Sequence, residues 1–321
     1  MHPQHRRPRI RTRRVTITSA VCAGTVSVLL VLARQNAAGA GGSNEGGAGA
    51  VAPASPTQSA TTTSPTATSS PADPRTSPAD ADDLAHSEST RIVGSLPTGS
   101  VAVAATNLDT GQSYTFGATG GMVTASIVKL DLLEVLLLQH QRAGTPLDAN
   151  EDAEAVAMIE NSDNSAAESI FLGIGGRDEL DAANPDLGVS TASTVPGASD
   201  YWGLTTTSAQ DQVVLIGNLT AAESPLSETA RSYALGLLRA VESDQQWGAP
   251  VAADPGTTVA VKNGWLDVDD DAGRWAVNSD ALITVNGDLI AISVLTQHND
   301  DEQSGITLVE SLAKIAANAV G

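Results

Sequence analysis

Thr124-Ala125-Ser126-Ile127-Val128-Lys129-Leu130-Asp131-Leu132-Leu133-Glu134-Val135-Leu136-Leu137-Leu138 is the stretch from which the rest of the chain can be read. Apolar residues at 127, 130, 132, 133, 136 and 137, with no Gly or Pro among them, predict a helix with a buried face, and Thr124 is placed to cap its start. Ser126 and Lys129 are three residues apart, so a helix stacks them on one face and brings the amine toward the hydroxyl. An amine held there among polar groups can lose its proton near neutral pH and activate the serine as a nucleophile. By itself, S-x-x-K is a weak signal in a Ser-rich chain. Scarcity strengthens it, because the only lysines are Lys129, Lys262 and Lys314.

On the N-terminal side of this helix, Val101 to Leu108, a turn at 109–112 and Ser113 to Phe116 predict a hairpin. On the C-terminal side, helical patterns fall at about 150–160, 165–173, 177–183, 208–219 and 226–242. Strand patterns return at 257–262, 274–285 and 289–296, the last two joined by Asn286-Gly287, and a helix at about 305–319 closes the chain. This order predicts an α/β (α+β) fold: an antiparallel sheet of about five strands flanked by helices, plus an all-helical lobe, with a cleft between them.

Composition divides the chain further. Residues 1–79 carry eight Arg and two acids, whereas residues 80–321 carry nine Lys plus Arg against 35 acids. A body this acidic repels polyanions, so nucleic acid and anionic lipid surfaces are excluded as partners. Six arginines between Arg6 and Arg14 precede an uncharged apolar run, Val15 to Ala33. Residues 1–34 therefore read as a signal peptide or signal anchor, engaging the export machinery or the membrane and sending the rest of the chain outside the cytoplasm. Residues 35–83, Gly/Ala-rich and then Pro/Ser/Thr-rich, read as a disordered linker, and 84–321 as the folded domain. The single cysteine, Cys22, lies inside the apolar run and permits no internal disulfide. With Val21 before it and its position mid-run, it is a poor lipidation site.

Two further motifs join Ser126 and Lys129. Ser162-Asp163-Asn164 lies between helical stretches, and Lys262-Asn263-Gly264 follows the strand-like Val259-Ala260-Val261 and precedes Trp265. The first alone is an ordinary cap and the second alone is weaker still. The ordered set S-x-x-K, S-D-N, K-x-G carries the specificity. Residues about 95 to 320 resemble the class A β-lactamase and penicillin-binding serine hydrolase family, and Thr205-Thr206-Thr207-Ser208-Ala209 is similar to that family's Thr-rich entry into a lobe helix. The resemblance implies that Ser126 is acylated, Lys129 is the base and Ser162 relays the proton to the leaving nitrogen. It implies that Asn164 holds a substrate carbonyl, Lys262 sits by the substrate carboxylate, and the amides of Ser126 and Trp265 form the oxyanion hole. Asn263 replaces the family's Thr or Ser and is expected to donate to that carboxylate in its place. The family also carries a Glu that activates the deacylating water, on a loop before the Thr-rich segment. Between Leu187 and Thr205 this chain has no Glu, and Asp200 is the only acid there. An acyl-enzyme should then be long-lived.

Arg274 is a candidate second contact for the carboxylate. Asp267 to Asp271 lacks the Gly and distal Glu of a calcium loop, the five histidines lack metal-ligand spacing, and there is no G-x-S-x-G elbow. No cofactor is expected, and the chain reads as a monomer. Three functions stay open: a β-lactamase-type serine hydrolase, a D,D-peptidase acting on acyl-D-Ala-D-Ala-type stem peptides, and an idle domain that binds wall fragments or antibiotics.

Overall fold

The computed structural model describes residues 78–190 and 201–321. The leader, most of the linker, Cys22 and Asp200 lie outside the described residues. Helix α1 (Pro78–Val93) comes first, six residues before the expected start of the domain. It is followed by β1 (Val101–Asn107), β2 (Ser113–Gly117), the short β3 (Met122–Val123) and a 3-10 turn, Ala125–Ile127. Then come α2 (Val128–Ala143), α3 (Ala149–Glu160), α4 (Asn164–Gly173) and α5 (Gly176–Ala183). The short β4 (Thr206–Thr207), α6 (Ala209–Asn218) and α7 (Glu228–Arg239) complete the middle of the chain. The chain ends with β5 (Ala260–Val268), β6 (Arg274–Val285), β7 (Asp288–Asn299) and α8 (Glu302–Val320).

The five long strands form one antiparallel sheet in the order β2-β1-β7-β6-β5. The N-terminal hairpin thus joins the C-terminal meander, as the sequence pattern predicts. Strands β6 and β7 are central and buried on both faces, which explains their near-continuous apolar runs. Helix α8 packs on β6 and β7 with α1 against it, and α6 packs on β1 and β7. The remaining helices gather around α2. Strand β5, with Lys262-Asn263-Gly264, is the edge.

Helix α2 is more deeply set than its pattern predicts. Every residue from Val128 to Leu138 is buried, not one face only. Each fully buried Leu contributes roughly 1.5–3 kcal/mol, so α2 is the central post of the molecule. Lys129, Asp131 and Glu134 are buried with it. Burial raises the Asp131 carboxyl to about 7 and lifts Glu134 well above its usual range. Glu134 accepts a hydrogen bond from Asn218 Nδ2 at 3.3 Å. Among the described residues no helix is long and apolar enough to cross a membrane.

Candidate active site

Ser126 sits in the 3-10 turn that feeds α2, not within the α-helix itself, and Thr124 makes no side-chain cap. Ala125, directly before it, has φ 49°, a left-handed conformation that costs a residue with a Cβ on the order of 1–2 kcal/mol. The surroundings hold the turn in place. Thr124 N donates to Thr205 O at 2.8 Å, β3 pairs with β4, and Asn278 Nδ2 donates to the carbonyls of Val123 and Thr124. Strand β5 closes on the other side. A methyl added at Gly264 would lie 2.7 Å from the amide nitrogens of Ser126 and Ile127 and 2.9 Å from the Thr124 carbonyl oxygen. Only glycine lets β5 approach the turn this closely. Gly264→Ala is therefore expected to abolish acylation at Ser126 and to cost about 1–3 kcal/mol of stability. Covalent labelling beside urea unfolding measures both.

Lys129 and Ser162 carry the centre of the site. Lys129 is fully buried, and its Nζ donates to Ser162 O (2.6 Å), Ser162 Oγ (3.0 Å) and Asn164 Oδ1 (2.8 Å). Lys262, also fully buried, donates from Nζ to the same Ser162 Oγ (3.0 Å) and to Asn263 O (2.9 Å). Residues 129, 162 and 262, far apart in sequence, thus meet on one hydroxyl. Ser162 takes φ 54° to reach between them. Asp163 caps α4, accepting from Ala166 N at 2.7 Å, so Ser162-Asp163-Asn164 serves both as a helix start and as a holder of Lys129.

The electrostatics follow from burial and from the two like charges. Desolvation first, and then the Lys262 charge, bring the Lys129 amine down to about 6, with Asp163 opposing. Burial brings Lys262 down to about 7, opposed by Asp280. Near neutral pH Lys129 is the amine that gives up its proton. The geometry can therefore take a proton from a neighbouring hydroxyl, pass one through Ser162 Oγ, and hold a positive charge at Lys262.

Two expected contacts are corrected. Asn263 does not face the cleft: its Nδ2 donates to Gln245 O (2.7 Å) and Trp247 O (2.8 Å), and it is buried. Strand alternation puts it on the opposite face from Lys262 and Gly264, where it pins residues 245–247 to β5. Arg274 pairs with Val268 near the hairpin end, four residues past Gly264, or about 13 Å along the strand. Its guanidinium is held by the Asp271 carboxylate, which also meets His298 Nδ1 at 2.5 Å. Strand β5 runs from Ala260 to Val268, where the sequence pattern predicts 257–262. Trp265 is half-buried, its ring 5.7 Å from that of Trp247.

Sequence patterns assign no site role to Trp202 or Asn278. Trp202 is 1% exposed, its ring centroid is 5.0 Å from Lys129 Nζ, and its Nε1 donates to Glu168 Oε2 at 3.1 Å. A tryptophan thus fills the space beside the amine. Glu168 lies one turn after Asn164 on α4, a spacing visible in the sequence. Nothing local marks Asn278, because its role arises from register opposite Gly264.

Relatives agree with this architecture. LppW of Mycobacterium tuberculosis, whose name designates it a lipoprotein, is 26% identical over 229 residues, spanning 68% of this chain and 70% of LppW. The TLA-1 extended-spectrum β-lactamase superposes with a TM-score of 0.64 at 18% identity, covering 74% of this chain and 99% of its own. A penicillin-G acyl-enzyme complex of a PBP-A variant gives 0.62 at 19%, covering 74% and 96%. A β-lactamase from Streptosporangium roseum gives 0.61 at 18%, covering 74% and 98%. At these identities the structures speak for the fold. The family described as "Beta-lactamase enzyme family" matches residues 137–320, beginning after Ser126 and Lys129 and including Ser162 and Lys262. With more than half of the chain matched, the protein belongs to the β-lactamase enzyme family.

Proposed function

We propose that the protein is an exported serine hydrolase of the β-lactamase type whose Ser126 is acylated by β-lactams or by acyl-D-Ala-D-Ala-type amides. The observation that carries this reading is the convergence of two buried amines on Ser162 Oγ, 3.0 Å from each, beside the turn that bears Ser126. Lys129, neutral above about 6, takes the Ser126 proton as Oγ attacks the carbonyl carbon. The oxyanion that forms is received by the amides of Ser126 and Trp265 at the open edge of β5. Collapse breaks the C–N bond; Ser162 delivers its proton to the nitrogen and takes in its place the one held by Lys129, which returns to the neutral amine. Asn164, with Oδ1 engaged by Lys129, offers Nδ2 to the substrate's amide carbonyl. Lys262 receives the substrate carboxylate.

A D,D-peptidase-like reading has its own support. Lys129 Nζ is hydrogen-bonded to Ser162 and Asn164, and the Trp202 ring packs beside it. Among the described residues no carboxylate hydrogen-bonds this amine, and the sequence between Leu187 and Thr205 carries no Glu to activate water, so the acyl-enzyme should persist. Export is supported by the Arg-rich leader and its apolar run, and by the name of LppW, which extends to this chain the proposal of a membrane-held, extracytoplasmic location.

The test uses fluorescent penicillin and nitrocefin with the wild type and with Ser126→Ala. A stable label that Ser126→Ala eliminates, with slow nitrocefin colour, is the expected result. Rapid colour assigns a true lactamase, and no Ser126-dependent reaction with either probe leaves the idle binding domain.

A further inference from the structure

Beneath the cleft, a polar row crosses the sheet where apolar residues would be ordinary. Lys262 on β5 stands opposite Asp280 on β6, which stands opposite Ser293 on β7, and the row ends at Ala104 on β1. Lys262, Asp280 and Ser293 are all fully buried. Cross-strand partners of this kind place their Cβ atoms about 4.5–5.5 Å apart on the same face. No hydrogen bond of ordinary geometry reaches either carboxylate oxygen of Asp280 or Ser293 Oγ, though the Ser293 hydroxyl stands across the strands from the carboxylate and favours its charge. An ionised carboxylate buried in this way is tolerated only beside a positive charge.

The charged groups around Lys262 are few. From α2, Lys129 shares Ser162 Oγ with it and is itself held down by the Lys262 charge; from β6, Asp280 favours the charge on Lys262. Two of the three ammonium hydrogens of Lys262 go to Ser162 Oγ and Asn263 O, toward the cleft and along its own strand. Among the described residues, Asp280 is the one acid acting on it from the sheet side. Burial drives the Asp280 carboxyl up to about 7, opposed by Ser293 and by Lys262.

We propose that Asp280 is a positioning residue for the anion anchor: the buried carboxylate holds Lys262 in its ammonium form and fixes the amine beneath Ser162. The inference rests on the proposed function, in which Lys262 receives the substrate carboxylate. It makes the anchor a lysine that faces a buried carboxylate on the adjacent strand, out of direct ion-pair contact but within its field, instead of a lone lysine. It also explains why an acid without a hydrogen-bond partner stands in the middle of a sheet whose central strands are otherwise largely apolar.

With only three lysines in the chain, ε-13C-lysine labelling gives three signals, assigned by substituting each lysine in turn. In the wild type Lys262 is followed across pH. In Asp280→Asn its midpoint is expected to fall by about one pH unit, with Lys314 unmoved, and Asp280→Glu is expected to restore it. The rate of penicillin labelling at pH 7 should fall about five-fold in Asp280→Asn, which is the loss of ammonium form for that shift, and should recover toward pH 5.5 on that account. If Asp280→Asn does not fold, Asp280→Ser is read in the same way. An unmoved Lys262 midpoint in a folded variant overturns the proposal. Because the midpoint is read without substrate, it decides the role of Asp280 even if Ser126 is never acylated. A wild type that shows the expected midpoint but takes no label refutes the acylation reading alone.

Discussion

Lys129→Met is expected to slow acylation of Ser126 by about 10²–10⁴-fold, the usual contribution of a placed general base, while the domain stays folded. Methionine matches the buried stem of lysine in length and keeps the packing of α2 against the lobe. What it removes is the amine that the proposed function assigns to take the Ser126 proton. It also removes the hydrogen bonds to Ser162 O, Ser162 Oγ and Asn164 Oδ1. The pH profile separates the base role from simple disorder of Ser162 and Asn164. A lysine held down to about 6 is neutral above that pH, so base strength becomes available as pH rises through 6. Lys262, held at about 7, is charged below that pH and loses its grip on a carboxylate as pH rises through 7. The wild-type labelling rate should therefore be bell-shaped, with its maximum between about 6 and about 7. Residual labelling in Lys129→Met should lose the acid limb and keep the alkaline one. Stopped-flow or gel-based labelling with fluorescent penicillin from pH 5 to 9 measures this. A wild-type profile flat across that range would remove Lys129 from the role of base.

Much of the fold can be read in the sequence because its elements are long and strongly patterned. The hairpin at 101–117, the strands at 274–285 and 288–299 and the closing helix are each marked by alternation, an Asn-Gly turn or a helical period. The ordered motifs likewise name Lys129, Ser162, Asn164 and Lys262, which hydrogen bonds join, and Ser126, which sits in the turn that leads into α2. What stays hidden depends on register or on position within a strand. Asn263 and Lys262 are neighbours in sequence, yet alternation sends Lys262 to the cleft and Asn263 to Gln245 and Trp247. The reach of Arg274 depends on hairpin length, which the acidic turn at 269–271 extends. Asn278 and Asp280 matter only because they stand opposite Gly264 and Lys262. Helix α1 leaves little trace in the sequence because its residues are polar and its short buried side, including Ala85 and Ser89, meets α8 and Tyr114.

Trp202→Ala is expected to have the largest effect on stability, about 3–5 kcal/mol, because a fully packed indole leaves a cavity that its neighbours refill only in part. Its effect on chemistry should run the other way. The indole now occupies the flank of Lys129, 5.0 Å from Nζ, and is itself fastened to Glu168. Removing it opens room beside a neutral amine and close to the carboxylate that the indole holds. Water admitted there would meet Lys129, and through it the ester at Ser126, so the acyl-enzyme should decay faster even as the fold weakens. Trp202→Phe separates the two contributions. It keeps most of the ring and the exclusion of water but loses the bond to Glu168, so it should cost about 1–3 kcal/mol and leave the acyl-enzyme lifetime near that of the wild type. The measurements are urea unfolding and the decay of a preformed penicillin label after removal of free probe. A Trp202→Ala protein that holds its label as long as the wild type would show that something other than this indole keeps water from the ester.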